Sequence, residues 1–391
     1  MKTLIINGKV ITPFEIKSNT NILIENGKIA EITCKEENIK NKDINVIDAK
    51  GKFVAPGFFD IHNHGNFGHD AMEGNFEAIN SMAKFHIGNG VTGFLATTIT
   101  ASISDTKMVA GCAADYIEKY NPDYSYPKAQ VLGVYFEGPY FCIERKGAQP
   151  AKFIKNPTPE EAEELIKSAR GHAKVFAIAP ELEGAIAVIE YLKSKGLTVS
   201  AAHSNATYDE TMLGIENGVT EATHLYNGMR NFNHREPGII GAALSDDRVS
   251  CELICDGIHL HKAAVKIAVD LKGKDKIILI SDSTMATGLK EGAYELANQR
   301  IFVKNKAARL EDGTLAGSTL TLNKAVYNMI HLYGVSLEDA VHMASLNPAK
   351  AIGMADIKGS IEIGKDADLI IFNDDIEVSC AIVNGNLLYE H

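Results

Sequence analysis

Residues 58–65 read FFDIHNHG, an apolar run that ends in two histidines with one residue between them. In a β-strand, side chains at positions i and i+2 point to the same face, so His62 and His64 are expected to project together, roughly 6.6 Å apart along the backbone. Both imidazoles could then reach one metal ion. The stretch therefore predicts a strand that carries metal ligands at its carboxyl end.

Seven further apolar runs follow this one, with segments of helical periodicity between them. Such an alternation is typical of repeated βα units around a parallel sheet. Eight units over about 300 residues predict an α/β fold, namely a (β/α)₈ TIM-like barrel. The eight runs, in chain order, are FVAPGFFDIHNH, TGFLATTIT, QVLGVYFEGP, KVFAIAPE, LTVSAAHSN, VTEATHLYN, SCELICDGIH and KIILISDS.

The two ends of the chain resemble each other. LIINGKVITPF and NILIENGKIAEI near the start, and GSIEIGKDADLIIFND and SCAIVNGNLLYE near the end, alternate apolar and polar residues around Asn-Gly turns. This pattern predicts strands and hairpins, and hence one small β-sandwich domain built from both termini. We expect residues 1–54 and 354–391 to form that domain and residues 55–353 to form the barrel.

The composition of the chain limits the kinds of partner and the cellular compartment that we expect. The net charge of -11 argues against a nucleic-acid or anionic-membrane partner, because either would require a basic surface. The segment MKTLIINGKV lacks the apolar region of a signal peptide, and no apolar run approaches the length of a membrane-spanning helix. The six cysteines include no CxxC pair. We therefore expect a cytoplasmic enzyme with reduced thiols.

Metal-ligand and acid–base residue types stand at the carboxyl ends of six of the eight runs, where barrel enzymes form their active sites. Histidine and carboxylate ligands favour zinc or iron over magnesium, and such an ion lowers the pKa of bound water from about 16 toward 7. Asp282, at the end of the last run, could take the proton of that water and pass it to a leaving nitrogen. The residues are His62, His64, Glu137, His203, His224, His259 and Asp282.

The segments PGFFDIHNHG, EGP, AAHSNATYDE, ATHLYNGM, HREPG, DGIHL, SDS and DGTLAGSTLT, in this order, closely resemble N-acetylglucosamine-6-phosphate deacetylases of the amidohydrolase superfamily. The resemblance covers nearly the whole chain, including the C-terminal GSIEIGKDADLIIF. It implies metal-dependent hydrolysis of the acetamide of N-acetylglucosamine 6-phosphate to glucosamine 6-phosphate and acetate. That reaction belongs to amino-sugar catabolism and cell-wall recycling.

The resemblance also implies roles for the strand-end residues. Asp282 would be the catalytic base and then the acid. Some members lose the two histidines after the first strand and bind one ion, whereas His62 and His64 are both present here. A second ion at His62 and His64, with Glu137 as the bridging carboxylate, therefore stays open. The ligands of the ion that every member keeps would be Glu137, His203 and His224.

Contacts to the sugar phosphate are implied in the same way. Asn227 and Gly228 would contact the phosphate, and Arg235 would reach it from a neighbouring subunit, which implies a homodimer. Gln149 departs from the family, because many members have a histidine there that touches the sugar. N-acetylgalactosamine 6-phosphate, which differs at the C4 hydroxyl, therefore stays a competing substrate. The remaining substrate contacts would come from Ala148, His259, Leu315, Ala316 and Gly317.

Two other functions stay open as alternatives. A cyclic-amide hydrolase or a deaminase would use the same barrel and metal, but its substrate would have no 6-phosphate for Arg235 to bind. A non-enzymatic scaffold on this fold would be expected to have lost its metal ligands, whereas every expected ligand is intact.

Overall fold

The structure is a computed structural model that describes residues 2–34, 44–297 and 299–391. In these ranges the strands, numbered in chain order, are β1 (Lys2–Ile11), β2 (Ile16–Glu25), β3 (Lys28–Thr33), β4 (Ile44–Asp48), β5 (Phe53–Pro56), β6 (Phe58–Asp60), β7 (Gly65–Asn66), β8 (His69–Asp70), β9 (Val91–Thr97), β10 (Gln130–Glu137), β11 (Ala173–Ile178), β12 (Thr198–Ala201), β13 (Val219–Ala222), β14 (Ser250–Ile254), β15 (Ile277–Ile280), β16 (Gly292–Leu296), β17 (Gln299–Lys304), β18 (Ala307–Leu310), β19 (Leu369–Phe372), β20 (Val378–Val383) and β21 (Asn386–Glu390).

The α-helices, numbered in the same way, are α1 (Phe76–Gly88), α2 (Ile103–Tyr120), α3 (Pro159–Ser168), α4 (Ala185–Ser194), α5 (Tyr208–Asn217), α6 (Gly238–Ser245), α7 (Lys262–Lys272), α8 (Leu322–His331), α9 (Leu337–Ala344) and α10 (Leu346–Ala351). Short 3₁₀ turns lie at Ala71–Glu73, Ile143–Arg145, Ala151–Phe153 and Lys274–Lys276.

The barrel consists of β6 and β9 to β15, which form an eight-stranded parallel sheet whose order follows the chain. The first and last strands meet at their carboxyl ends. There Ser281 Oγ donates to Asp60 Oδ2 at 2.6 Å, and the Asp282 N–H donates to the His62 carbonyl at 2.9 Å. The predicted α/β barrel is confirmed, and each of the eight apolar runs contains one of its strands.

Helices α1 to α8 alternate with the barrel strands, and α2 shows how the sequence forms one of them. In α2, the side chain of Ser102 accepts from the Asp105 N–H at the first turn, which satisfies a donor that the helix itself cannot. The buried positions of α2 recur at spacings of three and four, so the helix covers the sheet with one face. They include Thr106, Val109, Ala110, Ala113 and Ala114.

Both ends of the chain join one mixed sheet, in the order β21-β20-β19-β5-β1-β2-β3, with β4 also paired to β1. The sheet branches at β1, where β4 and β5 pair in parallel with different parts of that strand. The prediction of a β-domain built from both termini is confirmed. Its boundaries at residues 54/55 and 353/354 stay predictions, and β5 spans the first of them.

An antiparallel sheet of β16, β17 and β18 is inserted between the last barrel strand and α8. Its buried side chains, among them Leu296 and Ile301, share a small core with Ile99 and Ala316. Gln299 Nε2 donates to the Ala148 carbonyl at 2.7 Å and ties the inserted sheet to another loop. The insert therefore forms a wall beside the carboxyl ends of the barrel strands.

None of the helices in the described ranges is both long enough and apolar enough to cross a membrane.

Candidate active site

The ends of the barrel strands deliver the predicted residues to one place. Glu137 is the last residue of β10, and His203, His224 and Asp282 each lie two residues beyond the end of their strand. The last three have positive φ angles of 43°, 32° and 48°. Such left-handed backbone is uncommon for residues that carry a Cβ, and it clusters at functional sites.

The first group of metal-ligand atoms comes from Glu137, His203 and His224, all buried. Glu137 Oε1 lies 3.2 Å from each histidine Nε2, and the two Nε2 atoms are 3.1 Å apart. His203 Nδ1 donates to the Arg145 carbonyl at 2.9 Å, which leaves the lone pair of Nε2 facing the group. Ligands about 2.0 Å from a tetrahedral ion lie about 3.3 Å from one another. The three atoms therefore have the spacing that one divalent cation requires.

The second group comes from His62, His64 and Asp282, also buried. Asp282 Oδ1 lies 3.3 Å from His64 Nε2 and 3.7 Å from His62 Nε2. Glu137 faces both groups, because its Oε2 lies 3.2 Å from His64 Nε2 while its Oε1 contacts the first group. His62 Nε2 has no hydrogen-bond partner in the described part of the chain. A buried lone pair of this kind fits a second cation.

The local reasoning about the two histidines was wrong in one respect. Strand β6 ends at Asp60, so His62 and His64 lie in the loop that follows and do not alternate along a strand. They still converge, because that loop is held against the last strand. The His64 N–H and the Gly65 N–H both donate to the Ser283 carbonyl.

Two buried glutamates beneath the metal ligands were not identified from the sequence. Glu221 on β13 and Glu252 on β14 both have no exposed surface. Burial raises the pKa of Glu252 to about 8, and burial together with the charge of Glu252 raises the pKa of Glu221 well above its ordinary value. The sequence feature that could have identified them is a single glutamate within each of the apolar runs VTEATHLYN and SCELICDGIH.

Asp282 behaves differently from this pair. Burial alone would raise its pKa, but the hydrogen bond with His64 and the charges of the surrounding histidines outweigh burial and hold the pKa below its ordinary value. Asp282 is therefore ionised at neutral pH.

A cavity of about 190 Å³ opens beside the two groups. Five of the predicted metal and base residues line it: His64, Glu137, His203, His224 and Asp282. Seven of the nine predicted substrate residues line it as well: Ala148, Gln149, Asn227, Gly228, His259, Leu315 and Gly317. Further lining residues, which the sequence did not reveal, are Ile99, Gly147, Ile254, Leu296 and Thr314.

Gln149 makes two hydrogen bonds within the protein. Its Oε1 accepts from the Thr100 N–H at 2.9 Å, and its Nε2 donates to Glu137 Oε2 at 2.6 Å. The backbone donor fixes which end of the amide faces the carboxylate. Gln149 thus supports the carboxylate that lies between the two ligand groups, and its contact with a sugar stays a prediction.

His259 and Gly228 are each held in a defined position on the cavity wall. His259 Nδ1 donates to Asp256 Oδ2 at 2.7 Å, so its Nε2 is the ring atom left for a ligand. Gly228 has φ 62°, and a Cβ there would lie 2.7 Å from His203 Nδ1. Only glycine allows this approach without displacing a metal-ligand ring. Asn227 Nδ2 donates to the carbonyls of His224 and Leu225.

Two predicted substrate residues lie outside this cavity. Ala316 is buried in the small core under the inserted sheet, and its N–H donates to the Ala308 carbonyl. Arg235 is exposed and its Nη1 lies 3.0 Å from His234 Nε2. Neighbouring Glu236 accepts from backbone N–H groups of Tyr208 and Gly238, so it does not neutralise Arg235.

The sequence profile of the amidohydrolase family matches residues 53–388. The chain therefore belongs to the amidohydrolase family, whose members are hydrolases, and the resemblance found in the sequence is confirmed.

Within that family, the chain is 38% identical to N-acetylglucosamine-6-phosphate deacetylase from Bacillus subtilis, over 97% of this chain and 95% of the relative. It is 36% identical to N-acetylgalactosamine-6-phosphate deacetylase from Escherichia coli O157:H7, over 88% and 90% of the two chains. The structure is similar to that of a variant of N-acetyl-D-glucosamine-6-phosphate deacetylase from Mycobacterium smegmatis in complex with N-acetyl-D-glucosamine-6-phosphate. The TM-score is 0.91 at 28% identity, with 99% of each chain covered.

Proposed function

We propose that this chain hydrolyses the acetamide of N-acetyl-D-glucosamine 6-phosphate to D-glucosamine 6-phosphate and acetate. The observation that carries the proposal is the convergence of two groups of metal-ligand residues and an ionised aspartate on one cavity. Relatives of nearly the same length have this activity by name. The reaction belongs to amino-sugar catabolism and cell-wall recycling, and we expect it in the cytoplasm.

A divalent cation, zinc or iron, would be held by Glu137, His203 and His224, and a second by His62, His64 and Asp282. The donor atoms fit such ions, because buried imidazole nitrogens and carboxylate oxygens face one another at 3.1 to 3.7 Å. When bound, a cation of this kind polarises a carbonyl and lowers the pKa of water.

In the reaction, Asp282 accepts a proton from the attacking water as the water oxygen bonds to the acetyl carbon. The same carboxyl group then donates that proton to the sugar nitrogen as the C–N bond breaks, which leaves a free amine and acetate. Asp282 is ionised at neutral pH, as the first role requires. Gln149 Nε2 donates to Glu137 Oε2 and keeps that carboxylate in place.

The sugar phosphate would lie against the cavity wall formed by Ala148, Leu315 and Gly317, with His259 Nε2 as a polar contact. We propose that the phosphate is bound by Asn227 and Gly228 and by Arg235 of a second copy in a homodimer. The exposure of Arg235 supports this arrangement, because a guanidinium outside its own cavity is available to a neighbour. Arginine suits a phosphate because it can donate two parallel hydrogen bonds.

N-acetylgalactosamine 6-phosphate is the second candidate substrate. The relative from Escherichia coli O157:H7 carries that name. By the resemblance, Gln149 also stands where many members have a histidine that touches the sugar.

Acetate release tests the proposal. Purified protein of known metal content is incubated with N-acetylglucosamine, with its 6-phosphate and with N-acetylgalactosamine 6-phosphate. We expect rapid acetate release from the phosphorylated glucosamine derivative and slow release from the unphosphorylated sugar. A faster reaction with the galactosamine derivative would assign the second candidate. Metal-loaded protein that releases acetate from none of the three would contradict both assignments and leave a cyclic-amide hydrolase or a deaminase.

A further inference from the structure

Glu252 lies inside the barrel on β14 and has no exposed surface. Its Oε2 accepts two hydrogen bonds, one from His62 Nδ1 at 2.9 Å and one from the His224 backbone N–H at 3.1 Å. His62 belongs to the second ligand group and His224 to the first. A single oxygen atom therefore connects the two groups.

This contact decides which nitrogen of His62 is free. The Glu252 oxygen that accepts from the His224 N–H also accepts from His62, so Nδ1 of His62 carries the hydrogen and Nε2 keeps its lone pair. That lone pair faces Glu137 Oε1 at 3.6 Å and Asp282 Oδ1 at 3.7 Å. A metal-ligating histidine commonly has its second nitrogen hydrogen-bonded to a carboxylate, which sets the ring orientation and raises its basicity.

We propose that Glu252 is a positioning residue that prepares His62, and with it the His62–His64–Asp282 group, to bind a second divalent cation. The inference rests on the metal-dependent function proposed above. It goes beyond that function because it assigns a role to a residue that touches neither substrate nor cation.

Glu221 provides a matched control. It is the same residue type, lies on the neighbouring strand and is equally buried. It interacts with Glu252, yet in the described ranges its carboxylate makes no hydrogen bond to a metal-ligand residue. A general effect of altering a buried carboxyl group should therefore appear in Glu221→Gln as well, whereas an effect on His62 should not.

The test measures metal binding in the absence of substrate. Wild type, Glu252→Leu, Glu252→Gln and Glu221→Gln are stripped with a chelator and titrated with zinc alone, and bound zinc per chain is measured after dialysis. We expect two ions in the wild type. In Glu252→Leu the first ion should stay and the second should bind about 10- to 100-fold more weakly. Glu252→Gln should restore the second ion, because an amide oxygen can accept both hydrogen bonds, and Glu221→Gln should resemble the wild type.

Three results would overturn the inference: one ion in the wild type, unchanged affinity for the second ion in Glu252→Leu, or loss of both ions together in that variant. The last would indicate a merely structural role, and retention of the first ion serves as the internal check on folding. Because no substrate is present, these outcomes are distinct from a failure of acetate release.

Discussion

Asp282→Asn is the substitution that most directly tests the proposed chemistry. It removes the negative charge and the capacity to accept a proton, while side-chain volume is nearly unchanged. The backbone around Asp282 should persist, because its N–H donates to the His62 carbonyl at 2.9 Å and its carbonyl accepts from the Ser318 N–H at 2.7 Å. Asparagine also tolerates the φ of 48° found there.

The expected loss of activity follows from the proposed role of Asp282 as general base and then general acid. A positioned general acid–base group typically contributes about 10²- to 10⁴-fold to rate, or about 3 to 5 kcal/mol of barrier. Asp282 performs two proton transfers in the proposed reaction, so we expect kcat to fall by about 10³-fold or more. The metal held by Glu137, His203 and His224 should remain, because Asp282 does not belong to that group.

The assay is acetate release from N-acetylglucosamine 6-phosphate, with bound metal measured on the same sample. Asp270→Asn serves as the control, because Asp270 lies on the exposed face of α7 and pairs only with Lys266 among the described residues. A variant at position 282 that kept more than about a tenth of wild-type activity, with its metal in place, would refute the assignment of the base. Recovery of turnover on adding excess metal would instead trace the loss to the second cation, which Asp282 is proposed to help hold, and not to proton transfer.

Three further predictions concern separate features. Arg235→Ala should lower kcat/KM for phosphorylated substrate by about 10- to 100-fold and leave the unphosphorylated sugar unaffected; an unchanged ratio of the two would contradict the phosphate assignment. Gln149→Leu removes the hydrogen bonds to Glu137 and Thr100, and urea unfolding should show a loss of about 2 to 4 kcal/mol in the free energy of unfolding; a loss below about 0.5 kcal/mol would be inconsistent with that reasoning. Burial lowers the pKa of His86 from 6.5 to about 3, so between these values the unfolded chain binds a proton that the folded chain does not. Stability should therefore fall by about 2 kcal/mol on acidification from pH 7 to pH 5, and His86→Gln should lack this part of the decline; an equal decline in both proteins would argue against it.

Much of the fold could be predicted because the patterns are local. A barrel strand covered by helices is apolar on both faces, so it reads as a continuous apolar run, and each of the eight runs contains a strand. Asn-Gly turns between alternating segments indicated the terminal strands in the same way. The inserted sheet of β16 to β18 was not identified, because its strands alternate only weakly and its buried residues pack against Ile99 and Ala148 from distant parts of the chain.

The candidate site was predictable in part for a related reason. In a parallel barrel all strands end at one rim, so residue types at the strand ends indicate which side chains meet there. Gln149 shows the limit of that reasoning. The resemblance implied a sugar contact there, but the structure shows both ends of its amide bonded to Thr100 and Glu137.

By itself, the sequence determined the barrel, the β-domain from both termini and the set of histidines and carboxylates at one rim, because strand period and strand ends are properties of short segments. The resemblance implied the division of those side chains into two groups, and only the tertiary structure shows the distances within each group and brings Asp282 to the second. The tertiary structure also placed Glu252 beneath both groups, where it forms a hydrogen bond with His62, 190 positions away in the chain. Distances between atoms of different strands depend on the closure of the barrel, and no local pattern encodes them.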